Sequence, residues 1–258
     1  MGAAAHVAYN GRVWRPVAGE PIQDGGGHML LADLRGEVAH YARKMHASQL
    51  VRATQGNVSA RDPATGLICV TPSAVDYDAL EPEDVVVVDE RGQVVEGTRR
   101  PTSETPVHSL ILTRRRDIHC VMHTHSPYAT AFGVVYQPFP MVLAESALCL
   151  GREVPIVPYQ MSGTPEFAEA VANALGDGSA VIWGNHGAMV VGVNLPLAYS
   201  AAHALEDGAR VYAIARQLGE PVPLADEEIA RLHAYWLRHF VSDARDADAT
   251  AEGVKTRD

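Results

Sequence analysis

Short apolar runs alternate along this chain with longer segments whose apolar residues recur at helical spacing. A short run bounded by turn residues is a strand, and a long periodic segment is an amphipathic helix. A chain that interleaves the two builds a sheet with helices packed against it. The runs fall at 67–71, 85–88, 119–125, 154–157, 181–183 and 188–191, and 89–93 reads as a turn between Val88 and Val94. Helices are expected from Met29 to about Gln49, with Leu31, Leu34, Val38, Tyr41 and Met45 at helical spacing, and over 103–116. Ser126-Pro127 caps and opens another, and Thr164-Pro165-Glu166 opens one that Gly176 closes. Two more are expected over 197–218 and 226–241. Both sheet directions are compatible with these periods.

No internal repeat or low-complexity linker divides the chain, so residues 29–242 read as one domain. Residues 1–28, with Gly25-Gly26-Gly27, read as a partly flexible N-terminal extension, and 243–258 as a flexible C-terminal tail. A length of 258 residues buries a core without staples, and Cys69, Cys120 and Cys149 are too scattered for a disulfide framework. The first twenty residues hold no apolar signal core, His6 stands where a myristoylation signal needs Ser or Thr, and no long apolar run could span a membrane. The expected location is the cytoplasm. A net charge of −10 disfavours nucleic acid and anionic membranes as partners. The one basic run, Arg114-Arg115-Arg116, falls at a helix end, where positive charge suits the helix dipole.

The chemistry centres on histidine. His123 and His125 are two apart in a strand and project from one face, near its end at Pro127. A third imidazole from the Gly-flanked turn at His186 would complete a three-nitrogen site with an open position, the usual way of holding a catalytic zinc. Glu104 lies where Pro101-Thr102-Ser103-Glu104-Thr105-Pro106 opens a helix, and the Thr102 and Ser103 hydroxyls with free helix N–H groups form an anion site. Gly56-Asn57-Val58-Ser59 and Thr71-Pro72-Ser73 read as two small polar turns able to cradle a phosphate.

In order, GNVSAR (56–61), TPSA (71–74), RPTSETPVH (100–108), HTHSPYATAF (123–132) and GNHGAMVVG (184–192) resemble the class II aldolase/adducin family of metal-dependent sugar-phosphate enzymes. The resemblance implies a three-layer α/β/α fold with a central, mostly antiparallel sheet, and a homotetramer with active sites between subunits. It implies a divalent metal, zinc before Mn2+, Co2+ or Fe2+, on His123, His125 and His186. It implies Glu104 as acid/base, with Gly56, Asn57, Thr71, Ser73, Thr102 and Ser103 around the phosphate of a small sugar substrate. The reaction implied is reversible cleavage of a ketose 1-phosphate to dihydroxyacetone phosphate and an aldehyde, through a metal-stabilised enediolate, as in the fuculose-phosphate branch.

Related 4-epimerases carry Asp where this chain has Glu104, and their second acid falls on Leu148, so epimerisation ranks second. Dehydratase and decarboxylase members share the ligands, whereas adducin-type binding modules lose the histidines kept here. The tyrosine that serves the departing aldehyde in the aldolases falls on Ala144. Either Glu145 or Tyr235 stands in for it, or the substrate differs from fuculose phosphate.

Overall fold

The computed structural model describes residues 29–244. The expected extension 1–28 and residues 245–258 of the expected tail lie outside the described residues, while Asp243 and Ala244 are still helical. The elements run α1 (Ala32–Ala47), β1 (Asn57–Arg61), β2 (Ile68–Val70), β3 (Val86–Val88), β4 (Val94–Glu96), α2 (Thr105–Arg114), β5 (Cys120–Thr124), α3 (Pro127–Val135) and α4 (Ala144–Leu150). They continue with β6 (Ile156–Val157), α5 (Pro165–Leu175), β7 (Ala180–Trp183), β8 (Gly187–Gly192), α6 (Leu195–Leu218) and α7 (Asp226–Trp236), which a π-turn prolongs over Leu237–Val241. The strands form one sheet in the order β4-β3-β2-β1-β5-β8-β7-β6. Neighbours are antiparallel throughout, except β6 with β7.

Helices cover both faces. Val38 and Met45 of α1, Phe132 of α3, Leu150 of α4 and Leu205 of α6 pack on one side with Met122 and Val190. Ile111 of α2 and Phe167 of α5 pack on the other with Val121, Trp183 and Met189. The result is a three-layer α/β/α sandwich. Because both faces are covered, every residue of β1, β2, β3, β5 and β7 is buried. The two-residue alternation that marks a half-exposed strand is erased, which is why period alone could not give the sheet direction.

Two elements differ from the sequence reading. Residues 57–59 were expected in a polar turn, but Asn57–Arg61 form β1 at the middle of the sheet, between β2 and β5. Their polar side chains turn towards α2 instead of solvent. Helix α4 was not foreseen, since seven residues are too few to show a period; Gly151 at φ 74° ends it. The 103–116 helix is shorter than expected and starts at Thr105 with Glu104 as its N-cap. The arginine run has internal partners: Arg114 pairs with Glu169, Arg115 with Asp117 and Arg116 with Glu90. Cys69 and Cys149 are free thiols, and no helix among the described residues is long and apolar enough to cross a membrane.

Gly56 brings the chain into β1 at φ 71°, and a Cβ there would lie 2.6 Å from the His123 carbonyl oxygen as well as against Val51. Both the left-handed backbone and the clash oppose any side chain. Gly56→Ala is therefore expected to destabilise the fold by about 2 kcal/mol or more, read as a lowered denaturation midpoint. An unchanged midpoint would refute that close approach.

Candidate active site

The site is built at one end of the three central strands. His123 is the penultimate residue of β5, opposite Asn57 of β1 and Met189 of β8. His125 lies just beyond the strand, where its backbone N–H donates to the Leu50 carbonyl at 2.9 Å. His186 comes from the β7–β8 turn, which passes against β5 so closely that a Cβ at Gly187 would lie 2.9 Å from the His123 ring and overlap the Thr124 carbonyl. One ring nitrogen from each of the three histidines falls within 4.8 Å of the others, and the His123 and His125 Nε2 atoms are 2.9 Å apart.

Protonation follows from the partners. His123 Nδ1 lies 2.9 Å from the Ala188 carbonyl, which can only accept, so Nδ1 carries the hydrogen and Nε2 a lone pair. Burial, ahead of the neighbouring histidines, pushes His125 down to about 3, and burial likewise lowers His123. Neutral imidazoles can each turn a ring-nitrogen lone pair to a shared cation, and the three ring nitrogens are close enough to do so together. The donor set therefore fits a divalent metal.

Glu104 is 4% exposed. Its Oε2 accepts from Asn57 Nδ2 at 2.7 Å and lies 3.5 Å from His123 Nε2. Its Oε1 lies 3.4 Å from His186 Nε2, a contact without hydrogen-bond geometry. Burial opposes its charge, but the nearby His123 and His186 rings, the Asn57 donor and His108 outweigh it and hold the carboxyl at about 2. One turn further along α2, His108 is fully buried, and burial pushes its imidazole down to about 3.

These values set a pH dependence for the metal-free protein. The unfolded chain takes up protons on His108 and His125 below about 6.5, protons the native rings refuse until about 3. Stability therefore falls as pH drops through that window, and Glu104 adds to the loss from 4.5 downward. The urea midpoint of metal-free protein is expected to decline steadily from pH 6.5 to 4, less steeply in His108→Asn. A flat profile would mean the rings are not held neutral.

The expected anion-binding groups are differently placed. The helix N–H groups at α2 are committed: Glu104 N to Thr102 Oγ1, Thr105 N to the Thr102 carbonyl and Val107 N to the Glu104 carbonyl, while Pro106 has none. The N–H groups of Glu104, Thr105 and Val107, anticipated as free, bond back on Thr102 and Glu104 instead. The Thr71 hydroxyl accepts from Val58 N, and the Thr102 hydroxyl accepts from Asn57 Nδ2. Ser73 donates its hydroxyl to the Pro101 carbonyl, and Ser103 is exposed. The Asn57 amide is taken up by Glu104 and Thr102, leaving its Oδ1 buried without a partner.

Glu145 is exposed at the start of α4, and Tyr235 is 53% exposed on α7 against His239 and Phe240. Neither shows a bond or ring contact to Glu104 or the three histidines. Sequence reasoning passed over Trp183, which stacks on His123 at 4.2 Å and on His186 at 4.7 Å between ring centres. An aromatic residue directly before the His186 turn was its only signal. Glu206 of α6 was also passed over: its carboxylate accepts from the Tyr128 and Ala129 N–H groups and so caps α3, the helix that follows His125. No local pattern marks it, because the two elements are far apart in sequence.

A layered α/β/α chain with three converging imidazoles and a buried carboxylate at one end of its sheet has the parts of a metal-dependent enzyme. The chain belongs to the class II aldolase and adducin family: the Class II Aldolase and Adducin N-terminal domain matches residues 36–213. It is 35% identical over 204 residues to a 5-deoxy-D-ribulose 1-phosphate aldolase of Bacillus thuringiensis, covering 79% of this chain and 95% of that one. It is 36% identical over 182 residues to an L-fuculose phosphate aldolase of Escherichia coli, covering 70% and 83%. A solved L-fuculose 1-phosphate aldolase structure superposes with a TM-score of 0.78 at 34% identity, over 82% of this chain and 99% of that chain.

Proposed function

We propose that this chain is a metal-dependent sugar-phosphate aldolase that reversibly cleaves a ketose 1-phosphate to dihydroxyacetone phosphate and an aldehyde. One observation carries the reading: Glu104, tethered by Asn57, sits within 3.5 Å of two of the three converging imidazoles. His123, His125 and His186 would hold a divalent cation, zinc first for an all-nitrogen set, with Mn2+, Co2+ or Fe2+ as alternatives. When bound, that cation supplies Lewis-acid polarisation of the substrate carbonyl.

Glu104 acts on the carbon next to that carbonyl. In the condensation direction the C–H bond breaks, the proton passes to a Glu104 oxygen, and the electron pair is delocalised onto the carbonyl oxygen. Glu104 is ionised before the substrate arrives, so its oxygen has a lone pair to take that proton. The Thr71 and Thr102 hydroxyls act only as acceptors within the fold, so their hydrogens are available to a phosphate. Gly56, Ser73 and Ser103 complete that cradle. The Asn57 amide serves Glu104, and its unpartnered Oδ1 suits a substrate hydroxyl better than a phosphate, which offers it no hydrogen.

The same reading places the catalytic domain at 29–242, in the cytoplasm, as a homotetramer with sites between subunits. Exposed apolar side chains beside the His186 turn, Val134, Val135, Tyr136, Tyr159 and Met161, suit burial against another copy. The test is incubation of metal-loaded protein with dihydroxyacetone phosphate in heavy water, following the C3 protons by NMR. Stereospecific exchange that stops on chelation is expected. No exchange from protein with a full metal site would refute the aldolase reading and favour the epimerase, dehydratase or decarboxylase branch.

A further inference from the structure

Strand β1 and helix α2 meet along a seam of buried polar rungs. Asn57, Ser59 and Arg61 share one face of β1 at strand spacing, and Glu104, His108 and Leu112 follow at four-residue spacing along α2. Two strand residues advance about 6.6 Å and four helical residues about 6 Å, so the repeats stay in step over three rungs. Asn57 Nδ2 meets Glu104 Oε2 at 2.7 Å, Ser59 Oγ meets His108 Nδ1 at 2.7 Å, and Arg61 Nη1 donates to the Leu112 carbonyl at 2.8 Å. All four polar side chains next to the site, Asn57, Ser59, Glu104 and His108, are at most 5% exposed.

We propose that the Ser59–His108 rung is a positioning couple for Glu104: it sets the height of α2 on β1, and so where the Glu104 carboxylate stands between Asn57 and the histidines. Packing alone is a poor explanation for His108. Its Nε2 is buried with no partner, a cost that a leucine filling the same space would not incur. Glu104 has no side-chain bond within its own helix, although it occupies the N-cap. Its position therefore depends on where α2 begins relative to β1, and the next rung is the nearest side-chain bond between the two elements. A displacement of about 1 Å at a reacting group costs of order a hundredfold in rate.

The proposal rests on Glu104 acting as the base, so its test separates the two. His108→Leu removes the rung, and His108→Asn restores a polar atom near the Nδ1 position. Ile111→Ala, a cavity on the same helix, controls for lost stability. Proton exchange of dihydroxyacetone phosphate is measured as kcat and KM separately, beside metal content. His108→Leu is expected to lower kcat about 30-fold or more, with KM and metal content within about twofold of the parent. His108→Asn is expected to recover most of the loss, and Ile111→Ala to stay within about threefold.

A His108→Leu rate no lower than that of Ile111→Ala, or no recovery in His108→Asn, would overturn the proposal. Should His108→Leu fail to fold, Ser59→Ala makes the smaller cut, with about a tenfold fall in kcat expected and an unchanged rate counting against the rung. If the parent protein itself exchanges nothing, the aldolase reading fails, and crystal structures decide the rung alone. A Glu104 carboxylate displaced from Asn57 in the variant supports it, and an unmoved one overturns it.

Discussion

Glu104→Gln is expected to keep the fold and a full metal site while losing roughly a hundred- to ten-thousand-fold in the exchange and cleavage of substrate. Glutamine is close in size, and its amide oxygen can still accept from Asn57 Nδ2, so the tether of 2.7 Å survives. The amide cannot take a proton at neutral pH. The loss should therefore fall on kcat with little change in KM, because the group acts in the proton transfer and not in binding phosphate. Near-normal turnover would remove Glu104 from the chemistry. Loss of metal along with activity would instead make it a ligand.

His186→Ala is expected to abolish metal binding and turnover together, leaving the fold nearly as stable as the parent measured without metal. His186 lies in a turn and is only partly buried, so its removal takes a nitrogen from the site without opening the core. His123→Ala should lose metal too, and at a structural cost of about 2–4 kcal/mol. That ring is fully buried, stacked on Trp183 and bonded to the Ala188 carbonyl. Metal analysis of purified protein with urea denaturation of both variants checks the pair. Full metal content in either would sink the ligand assignment.

What could be read in the sequence was whatever short-range spacing encodes. The two-residue spacing of His123 and His125, the glycines around His186 and the Thr164-Pro165 helix start all act within a few residues, and the structure shows the corresponding turn, cap and clustered rings. Strand β1 escaped because Asn57, Ser59 and Arg61 are polar, and their burial is offset by partners some fifty positions away. The same distance hid the commitment of the Asn57 amide, which looked free for phosphate until Glu104 and Thr102 were placed beside it.

By itself the sequence determined the layered class of the fold, the residue types of the site and their order along the chain. These follow from local periodicity and side-chain chemistry, which need no partner. The tertiary structure alone decided that β1 lies between β2 and β5, that His123 keeps its lone pair on Nε2, and that Glu104 is held ionised next to the histidines. Each of those depends on a bond, a charge or a loss of water brought about by residues remote in sequence, and such terms exist only once the chain has folded.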